Sequence, residues 1–381
     1  MLWLAGMDLR VPLLAVAPLL PLIRMELGLD EKGVALLSSL PVLLLGLAAV
    51  PGSLLVARIG ARRVLLVGLT ILGLAAALRG LGSSFPVLLL MTLLMGMGIA
   101  ISQPTMPALV RQWFPTTVTR ATGIWSNGLL TGELLGASLT LAVIFPLVGG
   151  RWEGALGVWA IPVFITVGLL AVSTRHVASD ATAWRGAGWP DWRQARTWQL
   201  GLLQSSSSLT YFGTNTFLPD FLHASGQPEL VGPVLTALNL AQIPASFVVG
   251  LVPWRVLSRQ SLVVLSGALT LVGLAALFAA QPIVIVVAAA LLGFVSAYVL
   301  VICFALPALL ATDREVARLA AGGSTVGYSV AFVTNLVAGA LWDATHQSAF
   351  ALLPVLLGAS IVVLLGPRLV AARPPRRQVT G

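Results

Sequence analysis

The sequence predicts an all-α membrane protein: twelve transmembrane helices arranged as two pseudo-symmetric halves of six. Three observations predict it. Of 381 residues, 58% are hydrophobic and only 9% charged, where a soluble domain carries about 25% charged residues. Long apolar runs recur along the whole chain. The two halves match each other at a fixed offset of 200 residues.

A crossing needs about 20 apolar residues, so a span with its loop takes roughly 30. The apolar runs fall at 2–23, 34–56, 64–83, 85–110, 121–146 and 154–173, then at 198–222, 230–252, 261–280, 282–310, 319–342 and 348–371. None alternates with the period of a barrel strand. The first run is longer than the apolar part of a signal peptide and has no basic leader, so it is expected to remain as the first helix. The stretch 174–197 is the longest polar break and carries Trp184, Trp189, Trp192, Arg185, Arg193 and Arg196. Tryptophan rings and arginines settle at headgroup level, so this stretch is expected to be a linker on the cytoplasmic face. The expected division is therefore 1–173, a linker at 174–197, and 198–381 with a short basic tail.

Basic residues set the orientation. With the N-terminus in the cytoplasm, seventeen arginines lie on that side, among them Arg58, Arg62, Arg63, Arg111, Arg120, Arg175, Arg255, Arg259, Arg314, Arg318, Arg368, Arg373, Arg376 and Arg377. Only Arg24, Lys32 and Arg151 lie opposite. Both termini are thus expected to be cytoplasmic. The net charge of +9 is spread over loops and forms no basic domain, which argues against nucleic acid as a partner.

The repeat is carried by three helices. Thr70, Gly73 and Ala75 recur as Thr270, Gly273 and Ala275; Pro107-Ala108-Leu109 recurs as Pro307-Ala308-Leu309; Ala121 and Gly123 recur as Ala321 and Gly323. Six crossings per half keep one orientation, so the repeat is parallel, which places a solute site between the halves near the midplane.

These features, with specific motifs, resemble the major facilitator superfamily, and within it the cyanate-permease and 2-nitroimidazole-transporter subfamily. The motifs are Asp8, Arg10 and Pro12 followed by Ala17, Pro18 and Pro21; Pro107 to Arg111; Gly327-Tyr328; and Gly339 to Asp343 and Thr345. The resemblance implies a secondary transporter of a small solute in a bacterial cytoplasmic (inner) membrane, working by alternating access as a monomer. Two departures stand out. The family's turn after the second span carries an acid three residues before its glycine; here that position, before Gly60, is Ala57. Arg58, Gly60, Arg62 and Arg63 remain as the expected gating turn. The subfamily also has Asn where this chain has Asp8.

Ionisable residues inside a bilayer are costly and mark function. Arg10, in the first span, offers a permanently charged planar fork suited to a small anion. That makes cyanate or a small carboxylate the expected substrate, with a neutral or weakly basic drug-like compound as the alternative. Glu133, central in the fifth span, and Asp8 are the candidates for coupling to protons in symport. The first and fifth helices share a half, so Arg10 and Glu133 can approach. Arg79 is expected to snorkel to the outer headgroups. Gln103, Asn127, Tyr211, Asn215, Asn239, Gln242, Tyr328 and Asn335 are candidates to line the solute site. Their spacings put Tyr211 with Asn215, and Asn239 with Gln242, on common helix faces.

Gly128, Gly132 and Gly136, and Gly323 and Gly327, form small-residue stripes that allow close helix approach. They are expected to serve where the halves rock. Enzyme signatures are absent: the only lysine, Lys32, sits in no phosphate loop, His176, His223 and His346 have no metal-ligand spacing, and no cofactor motif occurs. Cys303 stands alone, so no intrachain disulfide can form.

Overall fold

The computed structural model describes residues 1–29, 31–81, 84–174, 188–257, 259–279, 281–312, 315–345, 347, 350 and 352–370. Arg175, His176, Trp184 and Arg185 of the linker lie outside the described residues, as do Arg314, His346 and the tail arginines Arg373, Arg376 and Arg377.

Among the described residues all regular structure is helical. Eight helices among the described residues are long and apolar enough to cross a membrane, α1 (Leu2–Leu27), α3 (Ala61–Arg79), α4 (Phe85–Trp113), α5 (Val118–Leu147), α6 (Trp152–Ser173), α8 (Pro228–Leu251), α10 (Pro282–Leu310) and α11 (Val316–Thr345), and α9 (Gln260–Ala276) is a shorter apolar helix. Completing the set, α2 is Glu31–Leu47 continued by Ala49–Ile59, α7 is Ala195–Ala224 and α12 is Leu353–Val370. Twelve helices thus stand where twelve apolar runs were read. The most polar is α7, which carries Ser205 to Ser208. Its hydroxyls turn inward: Ser205 and Ser206 donate to carbonyls one turn back at 2.7 and 2.6 Å, and Ser207 donates to the Ser296 carbonyl of α10 at 2.8 Å. Hydroxyls satisfied in this way can sit in an apolar medium.

Contacts group the chain into two compact units, 1–109 with 124–189, and 110–123 with 190–381. In the first unit Val11, Leu19, Ile23, Leu37, Leu88, Trp152, Leu156 and Trp159 form a buried cluster. In the second, Leu218, Phe221, Val234, Leu238, Ile285, Leu292 and Val355 do the same. Many large apolar side chains stay exposed, among them Ile161, Ile165, Val172, Val272, Ile283 and Leu364. In water such a surface would drive aggregation; acyl chains cover it without cost.

Proline breaks several spans. In α1 the helical segments are Leu2–Asp8, Val11–Leu14, Ala17–Leu19 and Leu20–Leu27. Pro12 lacks an N–H and its ring crowds the carbonyl four residues back, at Asp8, so the first segment ends there. Arg10 is left as the cap of the next, with φ −123° and ψ −34°. In α8, Ala241 separates Val231–Leu240 from Gln242–Leu251, which has Pro244 in its first turn.

Candidate functional site

In the first unit, glycines of α5 set the geometry. A Cβ on Gly128 would stand 2.1 Å from the Trp3 carbonyl oxygen, one on Gly132 2.3 Å from that of Met7, and one on Gly136 2.6 Å from that of Val11. A Cβ on Gly6 of α1 would stand 2.1 Å from the Trp125 carbonyl oxygen. The obstacles are backbone, so only glycine allows the two helices to lie this close. The register follows. Arg10 lies between Met7 and Val11, Glu133 between Gly132 and Gly136, and the two side chains meet in the seam. Arg10 Nε lies 3.3 Å from Glu133 Oε1, with 3% and 6% of the side chains exposed.

The same seam holds Asn127, whose Oδ1 accepts from Trp3 Nε1 at 2.8 Å. Asp8 is completely buried, with the Thr166 hydroxyl of α6 as its polar neighbour. Gln103 is buried at the break in α4 between Phe85–Ser102 and Thr105–Trp113.

The second unit brings four candidates into one network around the α8 break. Tyr211 Oη donates to Asn239 Oδ1 at 2.8 Å. Gln242 Nε2 donates to the same oxygen, and Asn239 Nδ2 to Asn215 Oδ1, each at 3.4 Å. Asn239 Nδ2 also donates to the Leu235 carbonyl at 2.8 Å, and Asn215 Nδ2 to that of Tyr211 at 3.1 Å. Asn335 on α11 lies apart from this network, where its Oδ1 would stand 3.6 Å from a Cβ on Gly213. Tyr328 is buried on the same helix.

Two sequence readings need correction. Arg79 does not reach the headgroups: it is 1% exposed, and its Nη1 donates to the Pro12 carbonyl at 3.0 Å and lies 3.0 Å from Met95 Sδ. Its side chain turns inward because the break in α1 leaves that carbonyl without a backbone donor among the described residues. The glycine stripes also differ from expectation. Gly128, Gly132 and Gly136 pack on α1 of their own unit, and Gly323 and Gly327 pack on Leu200 and Gln204 of α7, in theirs. Close approach is their structural role, but the tight contacts lie inside each unit.

The turn after α2 is built around Gly60, whose φ of 85° suits glycine. Arg58 and Arg63 are exposed. Arg62 ties the turn to the end of α6, donating through Nε to Thr174 Oγ1 at 2.5 Å and through Nη2 to the Ala171 carbonyl at 3.1 Å. Sequence reasoning missed Trp3 and the inward Arg79. Nothing in the pattern around Arg79 hinted at the second, since the acceptor lies on another helix.

Comparisons with known proteins agree with this architecture. A family model described as Major Facilitator Superfamily matches residues 2–250. The chain is 30% identical over 276 residues to the cyanate transport protein CynX of Escherichia coli (strain K12), spanning 71% of this chain and 70% of that protein. It is 26% identical over 371 residues to the 2-nitroimidazole transporter of the same organism, spanning 94% and 91%. Among solved structures, the proton:xylose symporter XylE bound to 6-bromo-6-deoxy-D-glucose aligns with a TM-score of 0.71 at 13% identity, over 96% of this chain and 92% of that one. FucP in its outward conformation aligns at 0.66 and 15%, over 96% and 97%. These two speak for the fold. With a family model over most of its length, a transporter as relative and twelve helices in place, this chain is a multi-pass membrane transporter, not an enzyme, and it belongs to the Major Facilitator Superfamily, on the branch of the cyanate and 2-nitroimidazole transporters.

Proposed function

We propose that this transporter moves a small monovalent anion, such as cyanate or a small carboxylate, together with a proton. The observation that carries the reading is the buried Arg10–Glu133 pair at the break of α1. A guanidinium and a carboxylate held together out of water satisfy each other's charge. A proton on Glu133 removes its charge and releases Arg10 to bind an anion through the same planar fork. Loss of the proton restores the pair and expels the anion. Proton and anion therefore travel together, and alternating access of the site carries both across. The name of the cyanate relative supports the anion class.

In this reading the chain sits as a monomer in a bacterial inner membrane with both termini cytoplasmic, in halves 1–173 and 198–381 joined by 174–197. Gln103 and Asn127 in the first unit, and the Tyr211, Asn215, Asn239 and Gln242 network with Tyr328 and Asn335 in the second, are the groups offered to the solute by each half. Asp8, buried on α1, is the alternative candidate for the proton-carrying group. The turn Arg58, Gly60, Arg62 and Arg63 gates the cytoplasmic side. The test is uptake into proteoliposomes. Arg10→Ala should abolish anion uptake, and normal uptake by that variant would sink the anion site.

A second reading, export of a neutral or weakly basic compound, draws support from the 2-nitroimidazole transporter, which aligns with more of the chain than the cyanate relative does, and from Arg10 being already neutralised by Glu133. Uptake of small anions by the wild type separates the two.

A further inference from the structure

Arg10 alone is a poor anion selector, because its charge is cancelled by Glu133 3.3 Å away. The first unit contains a second buried guanidinium that is not cancelled. Arg79 enters the interior from the end of α3. Its Nη1 is fixed by the Pro12 carbonyl and Met95 Sδ. Its Nε and Nη2 are buried and have no hydrogen-bond partner among the described residues. No carboxylate lies within ion-pair distance of it among them, the buried Asp8 of α1 included. The anchor is two residues from Arg10 along α1, at the same helix break.

We infer that Arg79 is the specificity-determining residue for anions: its uncompensated charge keeps the α1 break positive while Arg10 and Glu133 pair and unpair. The inference rests on the proposed anion transport and sharpens it. A charge buried at low dielectric acts over several ångströms without contact, so Arg79 need not leave the Pro12 carbonyl to favour an anion at Arg10. Whether Glu133 carries a proton and Arg10 an anion, or the two pair with each other, their sum is zero. Arg79 then contributes the +1 in both states, and an approaching cation is repelled throughout. An alternative role, a mere hydrogen-bond donor that props the break, makes a different prediction, since a neutral amide can also donate to Pro12.

The experiment compares Arg79→Gln and Arg79→Lys with wild type in proteoliposomes, using cyanate, formate and acetate as probes, with folding checked by gel filtration in detergent. Gln keeps a donor and loses the charge; Lys keeps both. The expected result is a half-saturating concentration raised about tenfold or more by Gln, the size of one lost charge interaction, with most of it recovered by Lys and the maximal rate changed less. Anion affinity in Arg79→Gln equal to wild type overturns the inference, and so does equal impairment by both substitutions, which marks packing. A wild type that takes up none of the probes fails the anion reading itself, and the role of Arg79 falls with it. Should Gln prove unable to fold, Arg79→Met with Arg79→Lys supplies the same contrast, read as thermal shift by the probe anions: a shift kept by Met overturns the inference, and one lost by Met and kept by Lys supports it.

Discussion

Arg10 Nε lies 3.3 Å from Glu133 Oε1 in the seam between α1 and α5, with both side chains almost wholly buried. Removing one member of a buried pair strands the other, which costs about 3–5 kcal/mol, whereas replacing both with apolar groups is often close to neutral. Arg10→Met and Glu133→Leu should each lower the melting temperature in detergent, and the double variant should melt above either single one. Additive losses in the double variant would show that the two groups do not interact.

Coupling through this pair fixes a charge balance. One proton carried with one monovalent anion moves no net charge. Uptake should then respond to a pH gradient and ignore a potential of 100 mV, which shifts the movement of one net charge by about 2.3 kcal/mol. Uptake by Glu133→Gln, which keeps the side chain's shape but cannot exchange the proton, should lose the pH gradient's effect. Potential-driven uptake by wild type would contradict one-for-one coupling.

The glycines of α5 should be far less replaceable than their neighbours. A Cβ at Gly132 would stand 2.3 Å from a backbone oxygen, whereas one at Gly168 of α6 would meet nothing within 4 Å. Gly132→Ala should destabilise by about 1–3 kcal/mol, the range for overpacking, and should disturb the Arg10–Glu133 pair. Gly168→Ala should be neutral or stabilising by up to about 1 kcal/mol, since alanine favours helix. Equal melting temperatures for the two would refute the close contact.

In the second unit, Tyr211→Phe removes the donor to Asn239 Oδ1. Interhelical hydrogen bonds within membranes contribute about 0.6 kcal/mol, and Gln242 remains to bond the same oxygen. The expected stability loss is therefore small. Because Asn239 joins three other side chains, the affinity for substrate should fall further than stability does, and titration of the variant against wild type measures this.

At the start of α11, burial pushes the Glu315 carboxyl up, but the Thr312 hydroxyl, Arg318 and the Thr312 N–H together hold it below its usual 4.5. Thr312 Oγ1 donates to it at 2.9 Å, and Arg318 pairs with it. A depressed carboxyl stabilises the fold above about pH 4.5 and loses that contribution as pH falls further through its folded value. Being partly exposed, the cluster contributes about 0.2–1 kcal/mol. Melting temperatures of wild type and Glu315→Gln should differ at pH 6 and converge towards pH 3; a constant gap would rule this out.

By itself the sequence determined what depends on counting and periodicity. Bilayer thickness dictates span length, so twelve apolar runs yield twelve helices. The spacing of Tyr211 with Asn215, and of Asn239 with Gln242, already placed each pair on one face. Placing α1 and α5 in one half made an Arg10–Glu133 approach foreseeable, and the glycine stripe announced close packing. What the stripe packs against was not legible, because a row of glycines looks the same from any neighbour; only the tertiary structure set it on the α1 carbonyls and so put Arg10 opposite Glu133. Arg79 shows the same limit. Its position near the end of a span suggests snorkelling, and nothing in its own helix says otherwise. The acceptor that draws it inward is the carbonyl of Pro12 itself, left without a backbone donor among the described residues by the irregular course of α1 and 67 residues away in sequence. A long flexible side chain goes where an unsatisfied partner lies, and that partner is fixed by packing between helices rather than by local pattern.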